Sequence, residues 1–358
     1  MGTIKRTFAN SLTGTGKLSA TNLDSNIPAA NIADASVTNV TTLPESLGQA
    51  IKSVAGNPPS QALGDIWYDT NTGKLKNYGL TAAAWASGGN LPTAKQALTG
   101  FGIQTAAVGA AGYTTTHVNT SEEYNGSSWT ASGNLTNSKA NLGGFGVQTA
   151  GAVAAGSPTF FAGTEEYNGS TWSPGGNLGT GRYYTYGSGT LTAGLIFGGN
   201  NARGLSEEYD GTSWTAGGAL ASEQGIHAGA GTQTATVSFA GQVGPRQQTQ
   251  EYDGTSWTLV SSMGTGRYFL SGAGTQTSAL AVSGIIPGGT ILDNVEQYDG
   301  TNWTSTTAVT TGALGPAGCG ASNTSTLKFG GASPPSTSIT ATEEFTGAFN
   351  AIKTVTTS

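Results

Sequence analysis

Reactive side chains are scarce in this chain. Among 358 residues there is one cysteine, Cys319, and there are two histidines, His117 and His227. A single cysteine excludes an internal disulfide framework. Two histidines in separate segments leave too little for a His/Cys/carboxylate metal cluster or a Ser-His-Asp triad. Both read as ordinary loop or strand residues, and Cys319, between Gly318 and Gly320, reads as a packing residue. No catalytic residue, metal site or cofactor is expected. Charge is sparse too: charged residues make up 9% of the chain and the net charge is −6. There is no basic tract, which argues against nucleic acid as a partner. No apolar run reaches the length of a membrane-spanning helix, so membrane insertion is not expected. Residues 1–8 have no apolar core of signal-peptide length, and Arg6 stands where N-myristoylation requires Ser or Thr.

Glycine is abundant, with 57 residues. Without a period, that composition signals low complexity. This chain has a period. Glu207-Glu208-Tyr209-Asp210-Gly211-Thr212-Ser213-Trp214 recurs around Tyr124 and Trp129, Tyr167 and Trp172, Tyr252 and Trp257, and Tyr298 and Trp303. A decayed copy runs from Glu343 to Phe349. The tryptophans at 129, 172, 214, 257 and 303 are 43, 42, 43 and 46 residues apart, and Trp85 lies 44 before the first. A fixed period of this size signals a repeat architecture.

Asn-Gly or Asp-Gly between short polar-aromatic runs signals a β-hairpin whose turn residues take positive φ. Tyr209 then pairs with Thr212 across a two-residue turn, or with Trp214 across a four-residue loop. Either register puts Tyr and Trp on one face, as the packing anchor of the unit. Each unit also holds a Gly-x-Gly-x-x-Thr turn, as at Gly229–Thr234, and an apolar run closed by glycine, as at Leu195–Gly199. That makes four short strands per period, the content of a β-propeller blade. The adjacent glutamates recur in every unit and point to opposite faces of a strand. They read as structural rather than as a glycosidase pair.

The run closed by Gly-Gly, followed by Tyr and then Trp, resembles kelch propellers over roughly residues 61–350. The diglycine is intact at Gly198-Gly199 and Gly330-Gly331. It reads Ala111-Gly112, Ala155-Gly156, Ala240-Gly241 and Ser283-Gly284 elsewhere. The expectation is an all-β, kelch-like propeller over 61–358 with seven four-stranded blades; six is the alternative. The seventh blade would need a strand from the C-terminal stretch 351–357 beside residues 64–87.

Residues 1–60 contain no Trp or Tyr and cannot build a core of their own. They read as an extended arm, with a short helix over 44–55 from Leu47, Ile51 and Val54. The hairpin Trp67-Tyr68-Asp69-Thr70-Asn71-Thr72-Gly73-Lys74-Leu75-Lys76 resembles an element of bacteriophage fibre and appendage proteins. The arm before it, around Ala29–Thr38, resembles fibre arms of marine and cyanobacterial phages. The resemblance implies a virion protein, made in the host cytoplasm and docked on other virion proteins through residues 1–60. A homotrimeric arm is implied only by likeness to fibre stalks.

Binding residues concentrate on loops held by a rigid scaffold. The loops between the second and third strands are the most divergent. Tyr113, Phe160, Phe161, Arg203, Arg246, Tyr183, Tyr184 and Tyr268 are the candidates on that face. Ten residues after each tryptophan stand Lys95, Lys139, Arg182, Gln224, Arg267 and Ala313. They read either as a solvated rim or as a cationic ring at the channel mouth, suited to an anionic glycan group. The expected function is host-surface adhesion to a glycan or envelope protein. The alternatives are a decoration or connector protein that binds other virion proteins, and a polysaccharide hydrolase.

Overall fold

The computed structural model describes residues 52–355. The described residues form strands and turns with no helix, in seven four-stranded sheets and one two-stranded ribbon. They divide into two compact units. One is Ala83–Gly347; the other holds the described residues on either side of it.

The smaller unit is one sheet in the order Lys52–Val54, Ile66–Asp69, Lys74–Thr81, Phe349–Thr354. The C-terminal strand lies antiparallel to Lys74–Thr81, with Thr81 opposite Phe349, as the alternation of its residues predicts. Asp69 ties the turn of the hairpin, accepting from Gly56 N (2.9 Å), Asn71 N (3.0 Å) and Thr72 Oγ1 (2.7 Å). The helix expected over 44–55 is not found at its described end. Lys52–Val54 is a strand, parallel to Trp67–Asp69. The open hairpin edge offers these residues main-chain partners, and that outweighs a helical spacing carried by three apolar side chains. The remainder of that helix, and residues 1–51 of the arm, lie outside the described residues.

In Ala83–Gly347 six sheets form the blades of a propeller. Their innermost strands are Thr99–Ile103, Gly143–Val147, Tyr186–Thr190, Ala228–Thr232, Ser271–Thr275 and Ala317–Ser322, here blades 1 to 6. Each packs on the next, and the sixth packs on the first. The outermost strand of blade 6 is Ala84–Ser87, the first strand of the unit, and it pairs with Thr342–Thr346. Trp85 thereby supplies the tryptophan that the decayed last repeat lacks; it meets Phe345 at a centroid distance of 5.0 Å. Joining the two ends of the unit in one blade leaves no gap between the first and last blades for edge pairing.

Two circles of main-chain hydrogen bonds fix the blade number. The residue twelve after each tryptophan donates its N–H to the equivalent carbonyl of the preceding blade. Asn141 donates to Ala97 (2.8 Å), Tyr184 to Asn141 (2.8 Å), Ile226 to Tyr184 (3.2 Å) and Phe269 to Ile226 (3.3 Å). Gly315 donates to Phe269 (2.8 Å), and Ala97 donates back to Gly315 (2.9 Å). The circle returns to its start after six bonds, so the ring is six-bladed. The seventh four-stranded sheet is the one in the smaller unit.

The second circle uses the diglycine position. Gly112, Gly156, Gly199, Gly241, Gly284 and Gly331 donate to the carbonyls of Lys139, Arg182, Gln224, Arg267, Ala313 and Lys95, at 2.8–3.0 Å. Their φ values run from +94° to +122°, which requires glycine. The preceding residue sits at φ +59° to +70°, in the left-handed well that Ala111, Ala155, Ala240 and Ser283 enter at modest cost. That is why only the first glycine of the pair has been replaced.

In the repeated hairpin Tyr209 pairs with Trp214, across a four-residue loop. Gly211 takes φ +94°. Asp210, Asp253 and Asp299 do not take the positive φ expected of them. Asp210 Oδ1 instead accepts the N–H groups of Thr212 and Ser213, both at 2.7 Å. These bonds hold its carboxyl below the usual range. The five Tyr–Trp pairs, from Tyr124 with Trp129 to Tyr298 with Trp303, stack at 4.7–5.0 Å, as expected of the anchor.

Side chains then clamp each blade to its neighbour. Trp172 Nε1 donates to Ser121 Oγ (3.0 Å), Trp214 to Thr164 (2.9 Å), Trp257 to Ser206 (3.4 Å), Trp303 to Thr249 (3.0 Å) and Trp129 to Thr342 (2.9 Å). The second glutamate of each pair takes the tyrosine hydroxyl of the next blade: Tyr167 to Glu123 (2.8 Å), Tyr252 to Glu208 (2.6 Å), Tyr298 to Glu251 (2.9 Å). Tyr124 reaches Glu344 in the same way (2.5 Å), closing the ring. Blade 5 has Gln297 at this glutamate position, and blade 6 has Phe345 in place of the tyrosine. Burial, and then the neighbouring carboxylate, push the hydroxyls of Tyr124, Tyr209 and Tyr252 up to about 12.

Candidate binding site at the channel mouth

The cations ten residues after each tryptophan do not form a rim. Lys95, Lys139, Arg182 and Arg267 are 0–1% exposed. Each is paired inside its own blade with the first glutamate of the repeat. Lys95 meets Glu122, Lys139 meets Glu165 (2.9 Å), Arg182 meets Glu207 and Arg267 meets Glu296 (3.0 Å). The same carboxylates hold the incoming loop, as Glu207 does through Gly179 N (2.6 Å). Burial lowers the pKa of every one of these cations against the pull of its partner. Low charge density forces this arrangement: a buried ion is tolerated only with a partner. Blade 4 replaces both partners at once, with Gln224 and Gln250. Blade 6 has Ala313, and Lys328 on the second strand of that blade reaches Glu343 instead (3.1 Å). The ring of cations expected to meet an anionic glycan is therefore structural.

The repeat anchors stay inside the blades and take no part in the mouth. Tyr124, Tyr167, Tyr209, Tyr252 and Tyr298 are buried. The tryptophans, equivalent in the sequence, are not equivalent in burial. Trp129 and Trp257 are buried, whereas Trp172, Trp214 and Trp303 are half-buried. Trp257 lies on Phe197 of the preceding blade, with centroids 5.1 Å apart, as well as on Tyr252. Covering its ring on both sides removes apolar area from water and leaves no face for a ligand. Trp257 is thus a blade-packing residue and not a contact residue.

Five of the loop candidates fare differently. Phe160 lies on Tyr183 (centroids 5.1 Å apart), Tyr183 on Tyr184 (4.8 Å), and Tyr184 on Phe269 (5.3 Å). Phe269 lies on Tyr268 (5.6 Å), and the Arg246 guanidinium sits over the Tyr268 ring at 5.9 Å. The result is a continuous aromatic arc from blade 2 to blade 5. Phe160 is 51% exposed, and Tyr183, Tyr184, Tyr268 and Phe269 are half-buried. Tyr113 is not shown stacking on the arc; it stacks on His117 (5.4 Å). Phe161 is half-buried and Arg203 is exposed, and neither is shown stacking on the arc. Phe269 is the member that sequence reasoning missed. Its signal was there: the residue twelve after each tryptophan reads Ala97, Asn141, Tyr184, Ile226, Phe269, Gly315.

That position is the first hydrogen-bond circle, and all six residues have φ between +54° and +58°. Glycine takes this conformation freely; Tyr184 at +58°, Ile226 at +57° and Phe269 at +54° do not. Left-handed backbone under a bulky side chain costs on the order of 1–3 kcal/mol per residue. Half of the circle carries this strain; Tyr184 and Phe269 present part of their rings there, and Ile226 is buried. The other half, Ala97, Asn141 and Gly315, is small.

Below the circle lies a cavity of about 70 Å³, lined by residues that include Thr99, Asn141, Tyr184, Thr185, Tyr186 and His227. None of its lining residues is acidic, lysine or arginine. Tyr186, on blade 3, reaches across the channel to Gly272 on blade 5. Its hydroxyl donates to the Gly272 carbonyl (2.6 Å) and accepts from the Gly272 N–H (3.3 Å). Burial raises its pKa. Tyr186 also borders the opposite end of the channel, which is walled by the paired glycines of the inner strands. The mouth is thus a blind well.

No protein-family model matches the chain, and no curated protein matches it significantly.

Proposed function

We propose that the propeller is a non-catalytic, glycan-binding module of a bacteriophage virion, displayed to meet the host surface and anchored by its N-terminal segment. The observation that carries the binding half is the aromatic arc. Partly exposed aromatic rings in a row, one end wet and one end anchored, suit contact with the apolar faces of sugar rings. Strain at Tyr184 and Phe269 supports a role that packing alone does not need. The virion half is supported by the likeness of the arm and the 67–76 hairpin to phage appendage proteins.

A glycan array built from bacterial envelope polysaccharides tests the binding half. Binding is expected, and Tyr184→Asn, the residue of blade 2 at this position, is expected to weaken it. A blank array refutes the reading. For the virion half, a chain lacking residues 1–51 keeps the Lys52–Val54 strand and is expected to fold but not to enter particles. Its incorporation would show that attachment runs elsewhere.

A second reading, a connector between virion proteins, is favoured by exposed apolar side chains in the smaller unit: Leu63, Leu80 and Phe349. Co-purification with a particle protein alongside a blank array would select it. Release of reducing sugar from host envelope would instead select a hydrolase.

A further inference from the structure

Every lysine and arginine of the Ala83–Gly347 unit is buried against a glutamate, except Arg203 and Arg246. Both stand three residues before the third strand of their blades. That position reads Val118, Phe161, Leu292 and Ile339 in blades 1, 2, 5 and 6, all half-buried. An arginine fills such a place with its stem alone. At Arg246 the head is placed as well. Its carbonyl accepts the Arg267 N–H (3.3 Å), and the Gln247 carbonyl accepts the Met263 N–H (2.8 Å), so blade 5 fixes the loop that carries it. Its guanidinium rests over Tyr268, whose ring lies against Phe269. Nε is buried without a hydrogen-bond partner; the terminal nitrogens are not buried, and no described residue accepts from them. Packing alone favours leucine, as in blade 5, because an unpaired buried Nε costs stability. Arg203 differs. It is exposed, and Glu223 approaches its loop, 3.8 Å from where a Cβ on Gly204 would lie.

The two ends of the aromatic arc are built alike. Phe160 of blade 2 lies on Tyr183 of blade 3, and Arg246 of blade 4 lies on Tyr268 of blade 5. Tyr183 and Tyr268 hold the same place in their repeats, eleven residues after the tryptophan. One end of the arc is therefore apolar and the other cationic. We propose, resting on the glycan reading above, that the arc binds an acidic sugar. Its carboxylate or phosphate pairs with the terminal nitrogens of Arg246, and its ring contacts the exposed parts of Tyr268 and Phe269. A guanidinium presents parallel N–H donors that match either anion. Stacking on Tyr268 holds that fork in place before a ligand arrives. Among the described residues no carboxylate lies within ion-pair distance of Arg246 to compete. The well beside the arc has no acidic residue, lysine or arginine in its wall and would desolvate an ion without compensation, so the anion belongs at the Arg246 end.

Calorimetric titration of the full chain tests this. The carboxylate probes are oligogalacturonate, hyaluronan oligosaccharide and oligosialic acid; the phosphate probe is a phosphomannan oligosaccharide. Each is run beside its neutral counterpart, carboxyl-reduced or dephosphorylated. At least one acidic probe is expected to bind, and its neutral counterpart at least about tenfold more weakly, as befits the loss of a charge-assisted hydrogen bond. Which arm responds identifies the anion. Arg246→Leu, which copies Leu292 of blade 5, is expected to keep the melting temperature and to bind the acidic and neutral forms alike. Arg246→Gln, which keeps most of the stem, is expected to do the same and stands in if the leucine variant melts early. Arg203→Leu makes the same change in net charge and is expected to keep the preference. The inference is overturned if no acidic probe binds, if the neutral counterparts bind as well, if the Arg246 variants keep the preference, or if Arg203→Leu removes it equally. Binding of neutral glycans on the array under those outcomes leaves the glycan reading standing; a blank array removes that reading itself.

Discussion

Replacing Glu207 by Gln should unfold the propeller far more readily than its size suggests, and a second substitution should reverse most of the loss. Arg182 is fully buried, and Glu207 is the carboxylate that neutralises it. Removing one member of such a pair strands a buried charge and costs about 3–5 kcal/mol. For a unit of this size that lowers the melting temperature on the order of 10 °C. Arg182→Gln alone should cost about as much, since Glu207 would keep only the Gly179 N–H. Blade 4 shows what the double variant becomes. Gln224 donates to the Ala240 carbonyl (3.1 Å), and Gln250 donates to the Ser222 carbonyl (2.9 Å) and accepts from its N–H (3.3 Å). One donor is missing in blade 3. Ser238 Oγ donates to Gln224 Oε1, and its counterpart is Ile196. The double variant should therefore lie within about 2 kcal/mol of wild type, with a coupling energy of at least about 4 kcal/mol. Urea unfolding followed by tryptophan fluorescence measures all four corners of the cycle. Additive single losses would show that the pair contributes as two independent surface charges, and the account of these cations would fail.

Other outcomes follow from the same contacts. Trp214→Ala should cost about 3–5 kcal/mol, because its ring packs on Phe145 of the preceding blade as well as on Tyr209; an unchanged melting temperature would contradict that packing. The hydroxyls of Tyr124, Tyr209 and Tyr252 have pKa values of about 12 against roughly 10 when unfolded, so their contribution is complete below pH 10 and disappears as pH rises through 12. Absorbance at the phenolate band should rise together with unfolding, and tyrosines that titrate near 10 in the folded protein would refute this. His227, lowered to about 3 from about 6.5, acts in the opposite direction: stability is intact above pH 6.5 and declines as pH falls toward 3. Comparison with His227→Leu isolates that slope, which should vanish in the variant.

Much of this architecture was legible because the repeat is a set of contacts written several times. The Tyr–Trp pair, the four-strand unit and the loop aromatics Phe160, Tyr183, Tyr184 and Tyr268 could all be read from spacing. The fate of the cations was legible too, but only by comparing columns. Gln224 appears in the one repeat that has Gln250, and Phe345 follows the one repeat that has Gln297. Paired changes of that kind mark partners, whereas a residue type taken by itself looked like a rim. Closure was harder. Trp85 kept the period, yet nothing local told it to join Phe345, some 260 residues away in sequence. Phe269 was hidden for a different reason. A bulky residue in left-handed backbone runs against local preference, so its place shows only when the column twelve residues after each tryptophan is compared across the repeats.

The hydrogen-bond circle at Ala97, Asn141, Tyr184, Ile226, Phe269 and Gly315 is made of main-chain atoms only. Its geometry is indifferent to the side chains it carries, from none at Gly315 to a phenol at Tyr184. Repeats that keep the tyrosine, glutamate and tryptophan clamps to their neighbours can therefore be exchanged by recombination without breaking the closure. Each exchange rewrites one-sixth of the mouth at a stroke. A lineage under pressure to follow a changing surface would find new specificities in the reshuffling of its own blades, with no intermediate that fails to close.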